Sequence, residues 1–135
     1  MAIDGYSAYK KIDVTTASPV TLTTMLFDGA LKALKKARLL HESGDRQGFV
    51  TQILKASDIV GQLYVSLDMS QGELPRRLGD IYSYCLRLLG EATLDDLAKL
   101  DEVELHIGRI ASAWKEVTKK DNGQDGRTSI GGLAA

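Results

Sequence analysis

Apolar residues recur at helical spacing in four successive stretches of the chain, separated by short polar or glycine-bearing breaks. In the first, Leu22, Met25, Leu26, Ala30, Ala33, Leu34, Ala37 and Leu40 form one stripe. Ser18 precedes it as a natural N-cap, and Pro19 suits the first helical position, where its missing N–H costs nothing. This pattern predicts a helix from about Ser18 to Ser43. Gly44 follows as a C′ residue and Asp45 as the next N-cap, a break short enough to make the two helices antiparallel neighbours. The second stripe, Phe49, Ile53, Ala56, Val60, Leu63 and Leu67, alternates spacings of three and four, as a bundle seam does. Ile59 and Tyr64 widen it. After the break Asp68–Gly72, with Asp68 as a loop cap, a third helix starts near Glu73 with Pro75 in its first turn. Leu74, Leu78, Ile81, Cys85 and Leu88, flanked by Tyr82, Leu86 and Leu89, make it apolar over more than half its circumference. This predicts surplus apolar surface there. Thr93, with Asp96 three residues on, caps a fourth helix carrying Leu97, Leu100, Val103, Ile107, Ile110, Trp114 and Val117.

Four amphipathic helices with short breaks imply an all-α, antiparallel up-down-up-down four-helix bundle. Sustained alternation of period two, the mark of a strand, is absent from the sequence. The domain plan is an extended leader over 1–17, the bundle over 18–121 and a flexible C-terminal tail over 122–135, where glycine recurs. The leader is unusual. Ile3, Tyr6, Tyr9, Ile12 and Val14 are more apolar than a solvated tail needs, so a docked segment covering an apolar groove is the expectation.

Composition narrows the function. The 135 residues suit a single domain, and a net charge of -1 with scattered Lys and Arg gives no nucleic-acid footprint. Apolar runs fall short of the ~18 residues that suggest a membrane span, so no membrane insertion is expected. A lone cysteine, Cys85, excludes an internal disulfide and fits a reducing cytosol. A diiron bundle needs Glu-x-x-His on two helices, and the residues three before His41 and His106 are Arg38 and Val103. No metal, cofactor or catalytic residue is therefore expected. One enzymatic alternative is a small histidine phosphotransfer-type bundle. In it, His106 would accept phosphate beside Gly108 and Arg109.

The residues become specific in two blocks. T-A-S-P followed by L-T-x-M-L-F-D-G-A-L, within Thr16–Leu31, resembles the first-helix signature of flagellar secretion chaperones of the FliS type. S-L-D-M-S-Q-G-E-L-P-x-x-L-x-x-I-Y-x-Y, Ser66 to Tyr84, is similar to that family's junction between helices two and three. R-L-L-x-E-A from Arg87 and the Trp114-Lys115-Glu116 triplet add weaker matches, and Phe27 stands where the family more often has tyrosine. The resemblance implies a cytosolic, non-enzymatic export chaperone. Such a protein binds the C-terminal segment of flagellin, prevents its premature polymerisation and aids its delivery to the flagellar type III export apparatus. It leaves room for export-gate components or a flagellar regulator as further partners. An apolar groove for an amphipathic cargo helix would draw on Tyr9, Met25, Leu26, Leu63, Leu67, Leu78, Ile81 and Tyr82. Met25 and Leu26 cannot both face the centre of one stripe, so one of them is free to face the groove. Gly29, costly in mid-helix, is expected where another helix approaches closely.

Overall fold

The computed structural model describes residues 18–92 and 96–122. Four helices run through them: α1 Pro19–Glu42, α2 Arg46–Val65, α3 Glu73–Glu91 and α4 Leu97–Asn122. A single 3-10 turn, Met69–Gln71, lies between α2 and α3, and the described residues contain no strand. Each helix packs on its neighbour in sequence and α4 returns to α1, which closes the ring of an antiparallel four-helix bundle. The leader, the Thr93 cap and the tail after Asn122 lie outside the described residues.

The caps are those the sequence implies. Ser18 is extended (φ -69, ψ 162), and its hydroxyl oxygen accepts from the Thr21 backbone N–H at 3.1 Å. At the other end Gly44 takes φ 77, where a side chain would strain the chain, and its N–H donates to His41 O. The Asp45 carboxylate accepts from Gly48 N–H at 2.9 Å and starts α2 at once. The resulting α1–α2 hairpin is tightly packed. Ala30, Ala33, Ala37 and Ala56 are buried, and a Cβ at position 29 would come within 3.3 Å of Ile59 Cδ1. Gly29 is therefore where α2 approaches α1 closely, which offsets its cost in helix propensity.

α2 stops two residues before the sequence pattern predicts. The Ser66 hydroxyl donates back to Leu63 O, and the Leu67 N–H donates to Tyr64 O, so the last turn tightens and ends. Leu67, released from the helix, still turns inward and is buried.

Between α4 and α1 Trp114 is fully buried. Its indole N–H donates to Thr24 Oγ1 at 2.7 Å, and the Thr24 hydroxyl donates in turn to Val20 O at 3.0 Å. Phe27 lies beside the indole, ring centres 6.1 Å apart. On the same α1–α4 seam, Arg38 donates to Glu104 and stands 2.6 Å from Asp101. The Glu104 hydrogen bond, and then Asp101, hold the guanidinium charged against the cost of partial burial.

Asp68 organises the turn that carries the chain from α2 to α3. Its carboxylate accepts from Ser70 N–H at 3.0 Å, from Ser70 Oγ at 2.6 Å and from Gln71 Nε2 at 3.2 Å. These bonds, the Ser70 hydroxyl first, lower the carboxyl below its usual range. A depressed folded-state value means the ionised form favours the fold. The contribution is complete above the unfolded value, about 3.9, and is lost as pH falls below it. The difference in melting temperature between wild type and Asp68→Ala is therefore expected to shrink on acidification. Thermal scans between about pH 6 and pH 3 measure it, and a gap that stays constant would show that the ionised carboxylate is not what matters.

Candidate functional site

The residues expected to line a groove divide by depth. Leu26, Leu63, Leu67, Leu78 and Tyr82 are buried members of the core, while Met25 and Ile81 are half-buried. Tyr9 lies outside the described residues. Of the adjacent pair Met25 and Leu26, Leu26 takes the core. Burial pushes the Tyr82 phenol upward and raises the Cys85 thiol to about 11, so Cys85 is a packing residue and no nucleophile.

The surplus apolar surface is on α2, not on α3 as the width of the third stripe suggests. On α3 Leu74 alone among its large apolar residues is exposed. The breadth of α3 is consumed by α2 on one side, α4 on the other and the Asp68 turn laid across Gly79. A Cβ at position 79 would lie 2.9 Å from Met69 Cε and 3.4 Å from Tyr64 Cε1, so this glycine gives the turn its seat.

α2 instead turns Val50, Leu54 and Val65 outward, with 47%, 64% and 76% of their surfaces exposed. Their spacing of four and eleven residues puts them on one face, and Gly61 lies between Leu54 and Val65 on that face. A Cβ at position 61 would meet nothing within 4 Å, so the middle of the stripe is open. Tyr64 and Met69 continue it at the end of the bundle where α2 stops, and Leu74 is exposed at the same end as α3 begins. In an antiparallel bundle this is also the end at which α1 starts. Ser66–Tyr84, one of the two specific sequence blocks, thus builds the turn beside the apolar stripe.

A polar cluster laces α3 to α4. The Tyr84 hydroxyl donates to Glu102, which holds the phenol's proton and raises its pKa. His106 Nε2 is 3.7 Å from Glu102 Oε2, with its ring edge-on to Tyr84 at 5.9 Å. The Arg87 guanidinium lies 5.0 Å over the Tyr84 ring. A phosphate on His106 would meet the Glu102 carboxylate, a repulsive neighbour. Among the described residues no group of three or more His, Cys, Asp or Glu side chains is placed to hold a metal ion, and no helix is long and apolar enough to cross a membrane.

Residues 2–121 match the family described as "Flagellar protein FliS", which spans both sequence blocks and all four helices. The chain belongs to the FliS family. The flagellar secretion chaperone FliS of Escherichia coli (strain K12) is 42% identical over 122 residues, covering 85% of this chain and 90% of the relative. That of Salmonella typhimurium (strain LT2) is 38% identical over 130 residues, 91% of this chain and 96% of the relative. That of Bacillus subtilis (strain 168) is 33% identical over 136 residues, 99% of this chain and all of the relative. In the FliS signature of α1, each element has a packing duty: Ser18 caps, Phe27 meets Trp114, and Gly29 admits Ile59. Asp28, between them, reaches Lys115 on α4 at 3.0 Å.

Proposed function

We propose that this FliS-family protein is a cytosolic export chaperone that binds the C-terminal segment of flagellin. It keeps that segment from polymerising and helps bring the subunit to the flagellar type III export apparatus, without catalysis. Its relatives bear the name flagellar secretion chaperone, which supports the role. The observation that carries the binding mode is the exposed stripe of α2, continued by Tyr64, Met69 and Leu74. An amphipathic segment laid along it would bury apolar surface that this bundle leaves in water. Half-buried Met25 and Ile81 are the groove residues a cargo could still reach, and the buried ones support the surface from beneath.

The test is calorimetric titration of the chain with flagellin, with flagellin lacking its C-terminal segment, and with the isolated segment. Binding is expected for the first and third and lost for the second. The segment should bind with a negative heat-capacity change, the mark of apolar burial. Equal affinity for the truncated flagellin would overturn the assignment.

A further inference from the structure

α1 carries a charged face that neither the core nor the α2 stripe uses. Lys32, Lys35, Lys36 and Leu39 recur at i, i+3, i+4 and i+7, so they share one side of the helix, and all four are exposed. Leu39 offers 58% of its surface to water, with the three lysines within two turns of it. The acids nearest this face are engaged elsewhere. Asp28 reaches Lys115 at 3.0 Å, and Asp101 and Glu104 hold Arg38. Among the described residues none of the three lysines forms an ion pair. Lys32 repels Lys36 at i, i+4 and Lys35 at i, i+3, which weakens the helix slightly. Nothing in the described fold offsets that repulsion or covers Leu39.

The geometry points to this face of α1 as the docking site for a short acidic, amphipathic helical segment of a partner protein. Three cations around one apolar residue match a segment whose carboxylates surround an apolar side chain. That side chain covers Leu39 while the carboxylates pair with Lys32, Lys35 and Lys36. From Lys32 to Leu39 the face is about 10 Å long, so about two to three turns of partner helix cover it. The lysines steer the encounter and exclude basic partners. The borders of the face favour a narrow protein segment over a membrane. Asp28, one turn before Lys32, and Glu42, just past Leu39, are exposed carboxylates at its two ends. An anionic lipid surface would press against both. One leucine is also far short of the broad apolar face with which a helix beds into lipid. The site is separate from the α2 stripe and does not depend on where cargo binds.

Fluorescence anisotropy of the full chain with a labelled helical peptide, leucine along one face and glutamate elsewhere, tests it. Saturable binding is expected, weakening as salt rises. The same peptide with glutamine in place of glutamate should bind about tenfold more weakly. Lys35→Ala/Lys36→Ala should lower affinity for the acidic peptide about tenfold, and Leu39→Ser about fivefold. Alanine is the best helix former and all three positions are exposed, so the variants should fold, as helical circular dichroism checks. Arg76→Ala/Arg77→Ala removes the same charge from an exposed part of α3 and should leave affinity within about twofold of wild type. Flotation with phosphatidylglycerol vesicles provides the membrane arm, and no binding is expected there. Peptide affinity unchanged by the lysine variant or by Leu39→Ser overturns the proposal. So does a glutamine peptide that binds as well, an equal loss in the arginine variant, or vesicle binding that the lysine variant abolishes.

Discussion

Replacing Trp114 by alanine is expected to remove about 3–5 kcal/mol of folding stability, the usual cost of truncating a large buried aromatic. Three effects combine. The indole is completely buried, so its removal leaves a cavity rather than a surface notch. Phe27 loses the ring against which it rests. Thr24, whose oxygen accepts the indole proton at 2.7 Å, loses its donor in a partly buried site. A domain of this size has about 5–15 kcal/mol in total, so the variant should sit close to its unfolding threshold. Thr24→Val isolates the polar part. It leaves the indole N–H unpartnered and should cost about 1–3 kcal/mol with little change in volume. Trp114 is the only tryptophan, so unfolding has to be followed in urea by circular dichroism rather than by indole emission. An alanine variant within about 1 kcal/mol of wild type would mean that the bundle collapses around the gap, and that Trp114 does not organise the core.

The elements were legible because caps and stripes are local. Ser18, Gly44, Asp45 and Asp68 act within a few residues of themselves, so sequence order alone exposes them. The core was legible less evenly. Phe27, Ala111, Thr23 and Thr118 are buried although none falls on the apolar stripe that periodicity draws. Two are polar, and Phe27 is beside Leu26, where a narrow stripe admits one residue. Their burial follows from where α4 lies against α1, which no single helix records. The exposed apolar surface was least legible. Periodicity measures how wide an apolar face is but not how many neighbours will cover it. α3 is wide and nearly fully used. α2 has a clear seam, and Val50, Leu54 and Val65 lie off it. Their signal was present as a second set of apolar positions spaced four and eleven apart, opposite the seam.

Changing Leu54 and Val65 together to glutamate is expected to reduce affinity for the flagellin C-terminal segment by about 100-fold or more. Each side chain offers most of its surface, and burying such a residue contributes about 1.5–3 kcal/mol. Binding would also have to strip water from two carboxylates facing an apolar helix, which adds to the loss. The fold should not suffer, because both positions face solvent in the free chain and glutamate is a better helix former than valine. Leu105→Glu is the matched control. Leu105 is also exposed, at 49%, but it belongs to α4 and lies off the α2 stripe. Titration of the segment into the three proteins separates the possibilities. Loss in the double variant alone places cargo on α2, and loss in the control alone moves it to α4.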